Sequence, residues 1–322
     1  MGMNRGAKPG GGKGTRLLTI VGPTAVGKTE VSVEVARRVG GEIVSADSMQ
    51  VYCGMDIGTA KPTSPERRGV PHHLIDLFAP DHPFSVAEFQ SLARRAIEDI
   101  AGRGRLPMLV GGTGLYVQAV TEDFHFSPLE GDADLRRKLA ALAEVEGPDA
   151  LHSRLRKADP AAAERIHAHD RRRVVRALEV CLLTGHPVAL ERGSAGAYDL
   201  LPVGLEIERP ALYRRIDARV EAMIDAGWLR EVRELLEAGY GPELYAMQAL
   251  GYRELISHLR GEVALGEAVA LIQRNTRRYA KRQLTWFRRD SRIRWIPAGE
   301  DRDIKDVVAD IVRLVEGKWG RV

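Results

Sequence analysis

Cysteine is nearly absent: Cys53 and Cys181 are the only two in 322 residues, far apart and in no metal-ligand spacing. That excludes a disulfide scaffold and a zinc module and suits a reducing compartment, so a cytoplasmic protein is expected. No apolar run approaches the roughly eighteen residues of a membrane span, and none is expected. Residues 1–15 contain no acid and no apolar segment, so they lack the core of a signal peptide. Gly6 stands where a myristoylation motif needs Ser or Thr. Rich in Gly, Lys and Arg, this stretch reads as a flexible basic tail. Charge imbalance is also slight, +4 from 48 basic and 44 acidic residues, and matters only where it is concentrated. What remains is an ordinary soluble composition, 44% hydrophobic and 29% charged, in a chain long enough for one large domain or two smaller ones.

Periodicity outlines an α/β chain. Leu17, Leu18, Thr19, Ile20 and Val21 form a short apolar, partly β-branched run ending at Gly22, the pattern of a buried parallel strand. Val31, Val35 and Val39 recur at helical spacing until Gly40 and Gly41 stop the helix. Residues 42–46 read as a second strand running into Asp47. Ser85 and Glu88 form a capping-box pattern, and Phe89, Leu92, Ala93, Ala96, Ile97 and Ile100 make the apolar stripe of the helix that follows. Residues 106–110 form another buried strand, ending at Gly111, Gly112, Thr113 and Gly114. This is a doubly wound parallel sheet of the P-loop NTPase-like class. From about residue 131 to 197 the chain reads as an all-helical insertion domain, with Asp159-Pro160 opening one helix and Asp170 capping another. Residues 16–130 and 198–322 form the core domain, with a returning strand at 200–207. Helices follow at 210–226, 229–238 and 265–287, and the C-terminal ones are expected to be basic.

Gly22, Pro23, Thr24, Ala25, Val26, Gly27, Lys28 and Thr29 fit G-x-x-x-x-G-K-[ST], placed between a buried strand and an amphipathic helix. In such a loop successive N–H groups converge on one anion and the helix N-terminus adds its positive dipole end. Lys28 bridges phosphate oxygens and the Thr29 hydroxyl ligates Mg²⁺. The pattern specifies a diphosphate or triphosphate and no more. A nucleoside triphosphatase or kinase normally carries a strand that ends in a magnesium-holding acid. Here the 106–110 strand ends in glycines and Thr113, and the acid is Asp47 on the strand before it. Both Asp47 and Thr113 should face the bound phosphates. For Asp47 this leaves three roles open: general base, metal ligand or helix cap.

Basic residues cluster twice. Arg274, Arg277, Arg278, Lys281 and Arg282 share one helix face; with Arg288, Arg289, Arg292 and Arg294 they oppose a single acid, Asp290, between Gln273 and Arg294. Arg171, Arg172, Arg173 and Arg176 lie at a helix N-terminus, where cations oppose the dipole. Local stability does not account for that placement, while contact with backbone phosphates does. The two clusters suggest two sides of a groove. The pair His72-His73 in a Pro-flanked loop is read as structural, with no metal assigned.

Together these segments closely resemble the tRNA dimethylallyltransferases (tRNA isopentenyltransferases). The matching stretches are residues 22–29, 45–52 (SADSMQVY), 54–62 (GMDIGTAKP), 71–76 (PHHLID), 111–116 (GGTGLY), 176–180 (RALEV), 250–254 (LGYRE) and 281–288 (KRQLTWFR). They cover the chain from Leu17 to Trp295 in the family's order. The compact bacterial form, without a C-terminal zinc-finger extension, is expected. The resemblance implies transfer of a dimethylallyl group from dimethylallyl diphosphate to the N6 amine of the adenosine just 3′ of the tRNA anticodon, with Mg²⁺ required. It implies that Asp47 accepts the amine proton, that Thr113 hydrogen-bonds near the bridging oxygen, and that Arg253 joins Lys28 on the departing diphosphate. The adenosine would be flipped out of the anticodon stem-loop into the core. Asp47, Ser48, Met49 and Gln50 would line the RNA path with Arg172, Arg173, Val174, Val175 and Arg176. Met247, Gly251, Tyr252 and Arg253 would join them, and Arg277, Arg278, Lys281 and Arg282 would contact tRNA phosphates. The run Arg171-Arg172-Arg173 is more basic than the family pattern requires.

Three rivals are weighed. A P-loop small-molecule kinase or NTPase predicts steady ATP turnover. An adenylate isopentenyltransferase would use the same donor on a free nucleotide, and the insertion and the basic helix argue for a polymeric acceptor instead. An RNA-binding protein with a vestigial loop conflicts with the intact Lys28, Thr29 and Asp47. With no unexplained apolar helix face, a monomer is expected.

Overall fold

A computed structural model describes residues 14–122, 124–125, 132–185, 191–192, 198–299 and 301–320. Of the expected basic tail, residues 1–13 lie outside the described residues, as do the expected domain limits at 131 and 197. Strand β1 (Thr15–Val21) places Leu17 and Val21 on one side of the sheet and Leu18 and Ile20 on the other, all fully buried. Burial on both faces is why the run shows no polar alternation. Helix α1 (Lys28–Val39) turns Val31, Val35 and Val39 inward and ends at Gly40, whose left-handed φ of 63° lets its N–H reach the Ala36 carbonyl. Strand β2 (Gly41–Ser45), the single-turn helix α2 (Ser64–Arg67) and the two-residue β3 (His72–His73) follow. Helix α3 (Val86–Gly102) starts where the Ser85 hydroxyl accepts from Glu88 N at 3.1 Å. Strand β4 (Leu106–Gly111) runs into α4 (Gly114–Thr121).

The chain divides here into two compact units. Unit two, Phe124–Gly193, contains β5 (Phe124–His125), α5 (Ala133–Glu146), α6 (Pro148–Ala158), α7 (Pro160–Arg165), α8 (Arg171–Thr184) and β6 (Glu191–Arg192). Its small core is Leu139, Ala143, Leu151, Leu155, Val174 and Leu178 from α5, α6 and α8, with Ala162 and Ala163 from α7. Asp159 accepts from Ala162 N and Asp170 from Arg173 N, so both expected caps are made by side-chain carboxylates. Unit one resumes with β7 (Tyr198–Glu206), α9 (Arg209–Asp225), α10 (Trp228–Glu237), α11 (Tyr252–Leu259), α12 (Leu265–Phe287), β8 (Arg294–Pro297) and α13 (Ile304–Trp319).

Six strands pair in parallel in the order β3-β2-β4-β1-β7-β8. One face is covered by α1 and α13, which bury Val31, Val35, Val308, Ile311 and Val315. The opposite face buries Phe89, Ile97, Tyr116, Trp228, Tyr252 and Ile272 from α3, α4, α10, α11 and α12. Each such aliphatic side chain, fully buried, stabilises the fold by roughly 1.5–3 kcal/mol. Register decides where chemistry can occur. Val21 is opposite Gly111 and Ser45 opposite Val110, so three adjoining strands end level at one edge. Gly22, Asp47 and Thr113 all leave the sheet from that edge.

Candidate active site

The phosphate loop is built by the turn that joins β1 to α1. Gly27 takes φ 101° as the residue before the helix, and Ala25 is held at φ 64°, a left-handed conformation that costs a residue with a Cβ of order 1 kcal/mol. The first N–H groups of α1, from Gly27 to Glu30, have no intrahelical partner and face the dipole's positive end outward. Lys28 Nζ donates to the carbonyls of Gly22 at 3.0 Å and Pro23 at 2.7 Å. Beyond the end of β2, across β4 from β1, Asp47 Oδ1 accepts from Met49 N at 2.9 Å, which fixes the carboxylate at the strand end. The β2–β4 ladder continues past both strands, with Ala46 N donating to Val110 O and Thr113 N to Ala46 O. Thr113 Oγ1 accepts from Ser48 N at 3.3 Å and shares a side-chain hydrogen bond with Tyr279 of α12.

Loop, carboxylate and strand ends line one cleft of about 630 Å³. Thr24, Ala25, Gly27, Lys28 and Thr29 form one end; Asp47, Gln50, Gly111, Gly112, Tyr279 and Gln283 form the floor. Burial pushes the Lys28 ammonium down to about 7, with Arg219 adding to the fall and Asp47 opposing it. Burial raises the Asp47 carboxyl above its ordinary value, against the hydrogen bond from Met49 and the charges of Lys28 and Arg219. An anion at the loop would favour the charged lysine, and a carboxylate with a raised pKa is a stronger base than one in water.

Arg219 is the residue that sequence reasoning missed. It lies on α9 with Arg215, and both line the cleft. Burial lowers its pKa and the charge of Asp47 raises it, which places a guanidinium in the field of the carboxylate. The available signal was weak. Ile216 and Val220 mark the buried stripe of α9, and Arg215 and Arg219 each precede one of them, on the stripe's flank. Tyr279 and Gln283 lie four residues apart on α12, and no local pattern marks either for the cleft.

Arg253, expected on the departing diphosphate, is not among the residues that line this cleft. Its Nε donates to Glu254 Oε1 at 2.8 Å and its side chain is 56% exposed. Glu254 also accepts from Gly251 N and Asn275 Nδ2, so it draws the arginine into a network that caps α11. Met247 and Tyr252, expected along the RNA path, are fully buried; the Tyr252 hydroxyl donates to Glu231 at 2.6 Å. Gly251 packs so closely on the Trp228 ring that a Cβ would lie 2.0 Å from it. In unit two, Val174 and Val175 belong to the core, while Arg172, Arg173 and Arg176 are exposed. Local ion pairs account for most of that cluster, contrary to the expectation from the helix dipole: Arg171 pairs with Glu144, Arg173 with Asp170, and Arg176 with the fully buried Glu179. On α12, Arg277 pairs with Asp217, Arg282 lies over the Tyr279 ring, and Arg278 and Lys281 are exposed.

The far wall of the cleft is a loop held from a distance. The Glu231 carboxylate accepts from three consecutive amides, Asp56 N at 2.9 Å, Ile57 N at 2.6 Å and Gly58 N at 3.1 Å. Lys61, buried beneath the same loop, donates to Tyr52 O and to the carboxylates of Asp56 and Asp76. His72 Nδ1 is paired with Val70 O and His73 Nε2 with Glu42, so neither histidine presents a ligand pair. No group of three His, Cys, Asp or Glu poised for a metal occurs among the described residues. A magnesium ion, which keeps several waters and shares substrate phosphates, would find the Thr29 side chain on the cleft lining.

Comparison with known proteins agrees with the geometry. The family model described as IPP transferase matches residues 50–290, and that described as isopentenyl transferase matches residues 15–76. The chain is 56% identical over 306 residues to the tRNA dimethylallyltransferase of Symbiobacterium thermophilum, spanning 94% of this chain and 96% of the relative. It is 55% identical to that of Desulforudis audaxviator, over 93% and 97% of the two chains. The full-length tRNA isopentenylpyrophosphate transferase of Bacillus halodurans superimposes with a TM-score of 0.72 at 48% identity, over 94% of this chain and 96% of that one. A eukaryotic dimethylallyltransferase acting on tRNA superimposes with a TM-score of 0.79 at 28% identity, over 94% and 80%. With a P-loop edge, a carboxylate beside it and relatives of this kind along almost its whole length, the chain belongs to the IPP transferase family of tRNA dimethylallyltransferases.

Proposed function

We propose that this protein transfers the dimethylallyl group of dimethylallyl diphosphate to the N6 amine of the adenosine 3′-adjacent to the tRNA anticodon, releasing diphosphate. One observation carries the reading. Lys28, following β1, and Asp47, following β2, face the same cleft from either side of β4, which runs into Gly111 and Gly112 without the acid a triphosphatase uses. A loop that grips a leaving diphosphate beside a half-buried carboxylate base is the arrangement this displacement needs.

In the reaction the C1–O bond to the diphosphate breaks and a C1–N6 bond forms, with allylic cation character at C1. Negative charge grows on the diphosphate. Lys28, the first amides of α1 and Arg219 stabilise it in a partly water-excluded cleft, where a fixed cation is worth more than in water. The proton lost by N6 passes to Asp47, whose raised pKa suits it to hold that proton. Thr113, held by Ser48 N and Tyr279, offers its hydroxyl at the strand edge beside Asp47. Thr29 would hold Mg²⁺ together with the diphosphate; the ion would supply further neutralisation of the leaving group. The exposed Arg278 and Lys281 on α12, with Arg282, and the exposed arginines of α8, are suited to tRNA phosphates. A base stacked in the anticodon loop must be extruded before its amine can reach the cleft. No helix among the described residues is long and apolar enough to cross a membrane.

The test offers unmodified tRNA and free AMP side by side with labelled dimethylallyl diphosphate. Label enters tRNA at the adenosine 3′ of the anticodon. Label in AMP alone refutes the acceptor, and steady ATP hydrolysis without prenyl transfer refutes the reaction.

A further inference from the structure

Gln283 stands at the centre of the cleft floor, 6% exposed, on the helix that also carries the basic face. Its Oε1 accepts from Thr24 N at 2.9 Å and its Nε2 donates to Gly112 O at 2.9 Å. One carboxamide therefore bridges the phosphate loop and the β4–α4 turn. Both of its polar atoms are satisfied, so the bridge holds in a single orientation. At the same end of the loop Lys28 Nζ is turned onto the carbonyls of Gly22 and Pro23. A loop of this kind that takes a nucleoside triphosphate spreads its amides and lysine over the outer phosphates. Here the amide of Thr24, at the end remote from α1, is committed to a side chain of the protein, and that side chain fills the space over it. The donors at the mouth of α1 are left for the ligand.

We infer that Gln283 is a specificity-determining residue that limits the loop to a two-phosphate chain by capping the Thr24 amide and occupying the place of a third phosphate. The inference rests on the reading of the loop as an isoprenoid diphosphate site. It assigns to one side chain the exclusion of nucleoside triphosphates, which the motif alone would admit. Gly112 is part of the device. A Cβ at Gly112 would come within 2.2 Å of Gln283 Nε2, so only a residue without one lets the carboxamide seat.

The experiment is calorimetric binding of inorganic diphosphate and inorganic tripolyphosphate to the full-length protein at fixed excess Mg²⁺. Wild-type protein prefers diphosphate. Gln283→Ala frees the Thr24 amide and opens the space over it, and tripolyphosphate gains about tenfold relative to diphosphate, the equivalent of one hydrogen bond to a charged group. Gly112→Ala, which displaces the carboxamide without altering α12, shifts the ratio in the same direction and decides the matter should Gln283→Ala fail to fold. An unchanged ratio in both variants with diphosphate still bound overturns the role of Gln283 alone. Wild-type protein that takes up neither anion overturns the diphosphate reading and this inference with it.

Discussion

Lys28 Nζ donates to the Pro23 carbonyl at 2.7 Å, so the lysine of the phosphate loop is pinned across the loop's own backbone. With its pKa pushed down to about 7, it carries a full charge only on the acid side of neutrality. A diphosphate needs that charge. The kcat/KM for the isoprenoid donor should therefore be level just below pH 7 and decline above it, while kcat, read with the anion bound, keeps its alkaline limb at higher pH because the anion retains the proton. On the acid side kcat/KM should fall through a pKa above that of an ordinary aspartate, since Asp47 must be ionised to act and its folded pKa is raised. A pH–rate series on wild-type and Lys28→Arg checks both limbs; the alkaline limb near 7 should vanish in the variant.

Asp47→Asn preserves the acceptor atom for Met49 N and removes the base. Turnover should drop by ~10²-fold or more, the usual worth of a positioned base, with both substrates still bound. Single-turnover transfer of labelled dimethylallyl measured beside equilibrium binding separates the two quantities. Near-normal turnover would assign Asp47 a purely structural place.

Arg219 lines the cleft and Arg253 does not. Arg219→Ala removes a cation from the cleft and should lower kcat/KM by roughly 10²-fold, in the range of losing one charged contact to the transition state. Arg253→Ala removes the guanidinium from the buried Glu254, which keeps its hydrogen bonds from Gly251 N and Asn275 Nδ2, and should leave the donor's KM within about threefold of wild type. Steady-state constants for the two variants, taken in one assay, distinguish them.

Glu42, almost wholly buried, is held by both Arg103 guanidinium nitrogens and by His73, and the hydrogen bonds from Arg103 bring its pKa down to about 2. Its folded pKa lies below the unfolded value near 4.5, so the stabilisation is complete above pH 4.5 and is lost as pH falls through 2. Discounted for the half-exposed arginine, it amounts to about 2 kcal/mol. Glu42→Gln should lower the urea midpoint at pH 7, and the gap to wild type should close as the series is carried toward pH 2.

The parts of this molecule that sequence made legible are those specified by neighbours in the chain. The β1 run, the G-x-x-x-x-G-K-[ST] loop, the valines of α1 and the Ser85 cap are local signals, and α12 occupies the span that its periodicity predicts. Asp47 lines the cleft as strand logic predicts, since parallel strands of similar length end at one edge, whereas Thr113 leaves the same edge without being among the residues that line the cleft. Arg219, Gln283 and Glu231 were not legible, because their partners lie 170 to 260 residues away along the chain or reach them only through packing of α9, α10 and α12 onto the sheet. Arg253 shows the complementary case: motif position implies a role on the diphosphate, and in the structure its side chain pairs with the adjacent Glu254. At the C-terminus, β8 hides in four residues that end in proline. Helix α13 carried a clear stripe of Val308, Ile311 and Val315 that went unread. That last helix is not basic either, balancing Lys305, Arg313 and Lys318 against Asp306, Asp310 and Glu316.

Because Glu231, Tyr279 and Gln283 hold the far wall and floor of the cleft, the order of synthesis matters. A ribosome delivers the phosphate loop among the first thirty residues and Asp47 soon after, yet the side chains that brace them emerge only with α10 and α12. A nascent or prematurely terminated chain ending before residue 265 carries every signature of the motif without the Gln283 bridge or the Tyr279 contact. The brace on the phosphate loop is thus supplied late in translation, and a product truncated there lacks the Gln283 bridge to Thr24.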